Sequence, residues 1–278
     1  MFKKELLNNQ KIIHDMDYKK YTEANRIAWN EVNPMHQDFK KRYKSKFTLE
    51  DFSTLDENLL EVLNKITFQN KSILQLCCND GEELISLKKM NAGKCVGIDI
   101  SGEAISSARF LNDQLDLDCV FHIKDVYEMD EIIENEKFDI VLMTVGALVW
   151  LPDLNQIMKK ISKALSPEGF LVIQEQHPFS WLIDEDMKLS EEENYFRKEP
   201  LKEEGGLDYL GKTEYEGSAN YSFNYTFSDL FNAIADNGLS LYKLFEYAND
   251  ISNLKEDLEQ KELSYPLSYI CIAKKHKS

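Results

Sequence analysis

Two aspartates stand where short apolar runs end, and a carboxylate so placed can grip a nucleoside. Asp99 closes Val96-Gly97-Ile98-Asp99, with Ile100 and Ser101 following, and Asp125 follows Ile123-Lys124, with Val126 after it. At the end of a strand in an open α/β sheet, a carboxylate can accept both hydroxyl hydrogens of a ribose. That is the expectation for Asp99, and Asp125 is expected to meet an adenine amino group. The bland alternatives are a helix N-terminal charge and a solvated turn. Upstream, Leu76-Cys77-Cys78-Asn79-Asp80-Gly81 is a tight turn of small residues opening a helix, so a ligand can lie against bare backbone and the helix's positive end. A fourth station, Met143-Thr144-Val145-Gly146-Ala147, offers backbone for an amino-acid moiety.

Proton transfer falls to histidine. His177, in Glu175-Gln176-His177-Pro178-Phe179, follows a strand-like run and is the first candidate base, since an ordinary imidazole pKa near ~6.5 suits a proton taken at neutral pH. His36, in Asn33-Pro34-Met35-His36, is its rival. Either is equally read as a histidine bonded to backbone or packed in a turn. Cys77 and Cys78 are read as small turn residues, because no partner base accompanies them. Trp150 is left open between lining a ligand pocket and packing a core.

These stations need a scaffold. SILQLC, KCVGID, CVFHIK, FDIVLMT and GFLVIQE, between Ser72 and Glu175, are short apolar runs of the kind that form buried parallel strands. Helical periods separate them: Ala104, Ile105, Ala108, Leu111 and Leu115 follow an N-cap at Ser101, and Leu154, Ile157, Met158, Ile161 and Leu165 follow Pro152. Ser166-Pro167-Glu168-Gly169 reads as the turn into the fifth strand. The alternation predicts an α/β fold with right-handed crossovers.

Residues 1–68 read as a polar helical cap, with Tyr21, Ala24, Ala28 and Val32 on one face. The remainder, 69–278, reads as the sheet domain, interrupted by an insertion over 176–227 that is too long for a structureless loop. Within it, Tyr221, Phe223, Tyr225 and Phe227 alternate as in a strand or hairpin, and Leu239 to Tyr247 and Leu267 to Ala273 read as closing strands.

A net charge of −16 argues against a phosphate-gripping surface and hence against nucleic acid as a partner. The basic run Lys40, Lys41, Arg42, Lys44 and Lys46 is read as a solvated helix face. Five cysteines without metal-site spacing predict a reducing, cytoplasmic setting and no metal, and neither a signal peptide nor a membrane span is expected. The oligomeric state, monomer or homodimer, is left open.

The four stations, in this order, resemble the class I S-adenosylmethionine-dependent methyltransferase family. Phe138-Asp139-Ile140-Val141, Trp150-Leu151-Pro152-Asp153 and Leu165 to Phe170 are similar to that family's fourth strand, fourth helix and fifth strand. The likeness runs roughly from Asn25 to Ala273. It implies a Rossmann-like, seven-stranded, mostly parallel sheet with a reversed last strand, helices on both faces and S-adenosylmethionine as cofactor. The donor would contact Gln75, Leu76, Cys77, Asn79, Gly81, Asp99, Ile100, Asp125, Val126, Thr144 and Trp150. The family usually carries an acid and then Gly-x-Gly-x-Gly after the first strand. Here Gln75 replaces the acid, and Cys77, Asn79 and Gly81 hold the glycine stations. Gln75 accepts a hydrogen bond but supplies no charge to the donor's ammonium.

Methyl transfer from a sulfonium is an in-line displacement that needs alignment and dryness more than a base. A lid bearing Tyr18, Tyr21, Trp29 and His36 is therefore expected to close over an acceptor pocket completed by the insertion, with His177 and Tyr225. Plain cap-to-domain packing is the alternative for each. The acceptor expected is an oxygen or nitrogen of a small molecule. A nicotinamide-dependent oxidoreductase is a second reading, since Asp99 lies 18 residues past Gly81, though the turn lacks Gly-x-Gly-x-x-Gly. A non-catalytic binding protein on the same shell is a third.

Overall fold

The computed structural model describes residues 18–183, 188–190, 193–211, 213–252, 259 and 265–277. The five apolar runs are its first five strands: β1 (Ile73–Leu76), β2 (Cys95–Asp99), β3 (Val120–Ile123), β4 (Phe138–Met143) and β5 (Leu165–Gln176). Two further strands, β8 (Leu239–Tyr247) and β9 (Ser268–Lys275), complete a seven-stranded sheet of order β3-β2-β1-β4-β5-β9-β8. Neighbours are parallel except β9, which runs antiparallel to both β5 and β8. The reversed last strand that the resemblance implies is thus present. The order reverses at β1, so the crevice beside its carboxyl end is the natural ligand site.

Alternation along each strand divides the apolar residues between two layers. Leu74, Leu76, Val141, Met143, Leu171 and Ile173 face one way, and Ile73, Ile140, Leu142 and Val172 the other. The first set packs against α5 (Asp130–Asn135), α6 (Leu154–Ala164) and α7 (Phe227–Asp236), and the second against α2 (Glu57–Lys65), α3 (Glu82–Lys89) and α4 (Gly102–Gln114). Helices therefore cover both faces, as a parallel sheet with no polar side requires. Four of the six start on side-chain caps. Asp56 accepts from Leu59 N, Ser101 from Ala104 N, Asp153 from Gln156 N, and Thr226 forms a capping box with Asp229.

The stretch Ser166–Gly169 differs from the expected turn. Ser166 to Gly169 stay within β5 as an irregularity, with Phe138 facing Leu165 and Ile140 already facing Phe170. Glu168 takes the left-handed conformation, φ 66°, that this kink needs.

Ahead of the sheet, α1 (Tyr18–Lys44) is one continuous helix through Pro34. The expected helix over residues 2–17 lies outside the described residues. The buried stripe of α1 contains Ala28 and Val32, but also Thr22, Asn25, Asn33 and His36, so its inner face is largely polar. Asn25 explains part of this: its side chain donates to Tyr221 O (2.9 Å) and accepts from Tyr221 N (2.7 Å), pairing like a strand residue. Tyr221 belongs to β7 (Asn220–Ser222), which pairs antiparallel with β6 (Leu201–Glu203) in a separate two-stranded sheet. Of the expected alternating strand, only 220–222 is strand, and Lys212 lies outside the described residues. No helix among the described residues is long and apolar enough to cross a membrane.

Gly97 lets the floor of the crevice close. A Cβ there would lie 2.7 Å from Phe121 Cδ1 and 2.8 Å from Cys78 Sγ. Gly97→Ala should lower stability by about 1–3 kcal/mol, read from urea unfolding, because both neighbours are held in the core.

Candidate active site

The turn after β1 keeps the backbone of a glycine turn with other side chains on it. Cys77 (φ 52°), Asn79 (φ 48°) and Gly81 (φ 70°) are all left-handed, at the three stations where the family places glycine. Asparagine tolerates this conformation and cysteine adopts it at a cost of about 1–2 kcal/mol. Such cost is carried where a ligand needs the backbone in one shape. Cys78 N donates to Ile98 O (3.0 Å) and Gly81 N to Cys78 O (2.8 Å), tying the turn to β2.

Asp99 ends β2 directly beside it. Its Oδ2 accepts from Asn79 N and its Oδ1 from Ser101 N, each at 2.8 Å, leaving further lone pairs toward the crevice. Burial pushes this carboxyl up to about 6, against the pull of those backbone N–H groups. Asp125 follows β3 and accepts from Tyr127 N (2.9 Å), and burial raises its pKa also.

The loop after β4 is shaped by a carboxylate that sequence reading passed over. Glu175, near the end of β5 and only 4% exposed, accepts from Gly146 N (2.9 Å), Leu148 N (3.1 Å) and Gln176 N (2.9 Å). Burial pushes it up to about 7 despite these donors. It holds Thr144, Val145 and Gly146 against the crevice.

From above, α1 delivers a cation. Lys40 Nζ lies 2.9 Å from both oxygens of Asp80 and 3.3 Å from Glu82 Oε2. Gln37 donates to Asp80 (2.9 Å) and Tyr43 to Glu82 (3.0 Å). Asp80 is held below the ordinary carboxylate range against its own burial by Lys40 and Gln37, whereas burial and the neighbouring Asp80 push Glu82 up to about 7. The basic run is therefore not wholly a solvated face: Lys40 and Lys44 turn inward, while Lys41 stays outside on Asp38.

These parts enclose a cavity of about 370 Å³ at the carboxyl ends of the strands. Its lining combines polar residues, among them Asn79, Asp80, Glu82, Glu83, Asp99, Asp125 and Thr144, with aromatic and apolar ones, among them Trp29, Val149, Trp150, Trp181, Tyr209 and Ile251. Trp29 meets Trp150 edge-on, centroids 5.5 Å apart at 89°.

A family model described as a methyltransferase domain matches residues 67–249. The chain belongs to this family. The site suits S-adenosylmethionine, the cofactor that the resemblance implies: it has left-handed backbone at the glycine stations, a carboxylate at the end of β2, and an acidic lining for a cationic donor. No curated protein matches the chain. Among solved structures it is similar in fold to an S-adenosylmethionine-dependent methyltransferase from Mesorhizobium loti, with 17% identity, 77% of this chain and 96% of that one covered, and TM-score 0.56. A second, from Clostridium acetobutylicum ATCC 824, has 13% identity, 87% and 100% coverage, and TM-score 0.57. A third is the magnesium protoporphyrin IX methyltransferase of Synechocystis PCC 6803 with bound SAH, with 13% identity, 87% and 86% coverage, and TM-score 0.50.

Of the expected donor contacts, Cys77, Asn79, Asp99, Ile100, Asp125, Val126, Thr144 and Trp150 line the methyltransferase's cavity; Gln75, Leu76 and Gly81 sit behind it. Of the expected acceptor contacts, only Trp29 lines it. Tyr18 packs on Tyr127, Tyr21 on Tyr221 and Phe223, and Tyr225 donates its hydroxyl to Leu151 O. His177 is away from the cavity, with both ring nitrogens engaged. Nδ1 accepts from Phe179 N (3.1 Å), so Nε2 carries the proton toward Glu246 (2.9 Å), and Phe227 and Tyr269 flank the ring. His36 is likewise outside the lining. It is 1% exposed, packs on Tyr209, and has Nε2 3.5 Å from Asp208. Neither histidine sits as the expected base would.

Lys40→Met should destabilise the protein by about 3–5 kcal/mol in a denaturant titration, since it strands Asp80 and Glu82 as buried like charges. An unchanged midpoint would mean that the network carries no stability.

Proposed function

We propose that this S-adenosylmethionine-dependent methyltransferase methylates an oxygen or nitrogen of a small, largely apolar acceptor. The observation carrying this reading is one cavity whose lining combines the carboxylates Asp99 and Asp125 with the rings of Trp29, Trp150, Trp181 and Tyr209. Asp99 would take the ribose hydroxyls and Asp125 the adenine amino group, with Ile100 and Val126 against the base. Thr144 and the Glu175-held loop would face the amino-acid end. The cofactor supplies an activated methyl group.

What the chain supplies is alignment and dryness. Trp29 and Tyr209, from α1 and the insertion, both line the cavity and would close over an acceptor of matching shape. Residues from α1 and from the insertion thus act together as the lid, with the sheet domain below it. No histidine among the described residues reaches the cavity to take the acceptor's proton. Nucleic acid is disfavoured as the acceptor because the lining is acidic and the whole chain carries −16. Five free thiols among the described residues support a reducing, cytoplasmic setting.

Calorimetric titration tests the reading. Adenosylhomocysteine should bind and a nicotinamide dinucleotide should not; the reverse result would sink it. Affinity should fall as the pH drops through about 6, the value to which Asp99 is raised, because protonation removes an acceptor from the ribose site. In Asp99→Asn both the affinity and that inflection should be lost.

A further inference from the structure

The methyltransferase resemblance calls for a carboxylate near the end of β1, and Gln75 stands there. Its side chain is fully buried behind the cavity wall. The amide donates to Thr144 Oγ1 (3.2 Å) and also bonds the side chain of Glu83, while its Oε1 has no partner. Gln75 can therefore support a charged group but cannot be one.

Glu83, in the first turn of α3, does reach the cavity. Along the same wall lie Asn79, Thr144 and Gly146, the backbone suited to an amino-acid moiety. Among the described residues no lysine or arginine forms an ion pair with Glu83. The cation that acts on it, Lys40, is already bonded to both oxygens of Asp80 and turned toward Glu82. Burial accordingly pushes the Glu83 carboxyl up in pKa. Glu83 is half-buried, and a carboxylate drawn partly out of water without an ion-pair partner is costly; an arriving ammonium relieves that cost while gaining a charge-assisted hydrogen bond.

We propose that Glu83 takes over the task of the absent β1 acid, holding the ammonium of the donor's methionine end, with the Gln75 amide fixing its carboxylate from behind. The proposal rests on the donor reading above. It moves the negative charge from the strand to the first turn of the next helix, where it meets the same wall from a neighbouring position.

The test compares two ligands on the full chain by calorimetry. Adenosylhomocysteine carries the ammonium, and 5′-methylthioadenosine has the same nucleoside and sulfur without the amino acid. Glu83→Gln should weaken adenosylhomocysteine by about 10- to 100-fold, the effect of losing a hydrogen bond to a charged group. Binding of methylthioadenosine should be left within about twofold. Restoring a carboxylate from the strand, in the double variant Gln75→Glu with Glu83→Gln, should recover most of the adenosylhomocysteine affinity. Equal binding of adenosylhomocysteine by wild type and Glu83→Gln would overturn the proposal, as would a proportional loss of both ligands. Should the wild-type chain bind neither compound, the donor reading itself fails and the proposal falls with it.

Discussion

Carboxylates crowd the carboxyl ends of the strands, and the site depends on how each buried negative charge is answered. A carboxylate withdrawn from water is tolerated only when hydrogen bonds or a cation replace the hydration it gave up. Three different answers are used here. Backbone N–H groups answer Asp99 from the β1 turn and the start of α4, and they answer Glu175 from the loop after β4. A cation answers Asp80 and Glu82, and it comes from α1 across the cavity. Glu83 has the Gln75 amide, its own backbone N–H and the more distant charge of Lys40, with no ion-pair partner among the described residues. The loops are thus shaped by the charges they surround: the turn after β1 bends so that Asn79 N can reach Asp99, and Gly146 is left-handed where its N–H meets Glu175.

That arrangement accounts for what could be read from the residues and what could not. Strands β1 to β5 were legible because each is a short apolar run and each intervening helix carries its own period. The place of Asp99 in the cavity wall was legible for a related reason, since it ends one such run. Parts contributed by distant segments left no local mark. Lys40 reads as one member of a basic cluster, and nothing near it in sequence announces Asp80 as its partner. The inner face of α1 is polar because Asn25 pairs with β7 and Lys40 with the β1 turn, so hydrophobic periodicity selects too narrow a face.

The histidines show the opposite error, where residue type outweighed position. His177 follows the right strand, yet its backbone donates to Leu267 O and its ring is pinned between Phe179 N and Glu246. Two residues earlier, Glu175 belongs to the site because it reaches back under the β4 loop. Chemical versatility drew attention to the imidazole, and the acid beside it does the organising. The turn at 77–81 teaches the same lesson from the backbone side. A glycine pattern records a conformation, and Cys77 and Asn79 hold that conformation without the glycines.

The contact between Lys40 and Asp80 joins α1 to the turn after β1, and both partners line the cavity. Separating them would let water flood back onto both ions, and the hydration regained would repay much of the attraction forfeited. A clasp of this kind grips in the dry and slackens when wet, so its hold on the long N-terminal helix depends on how much water the cavity admits.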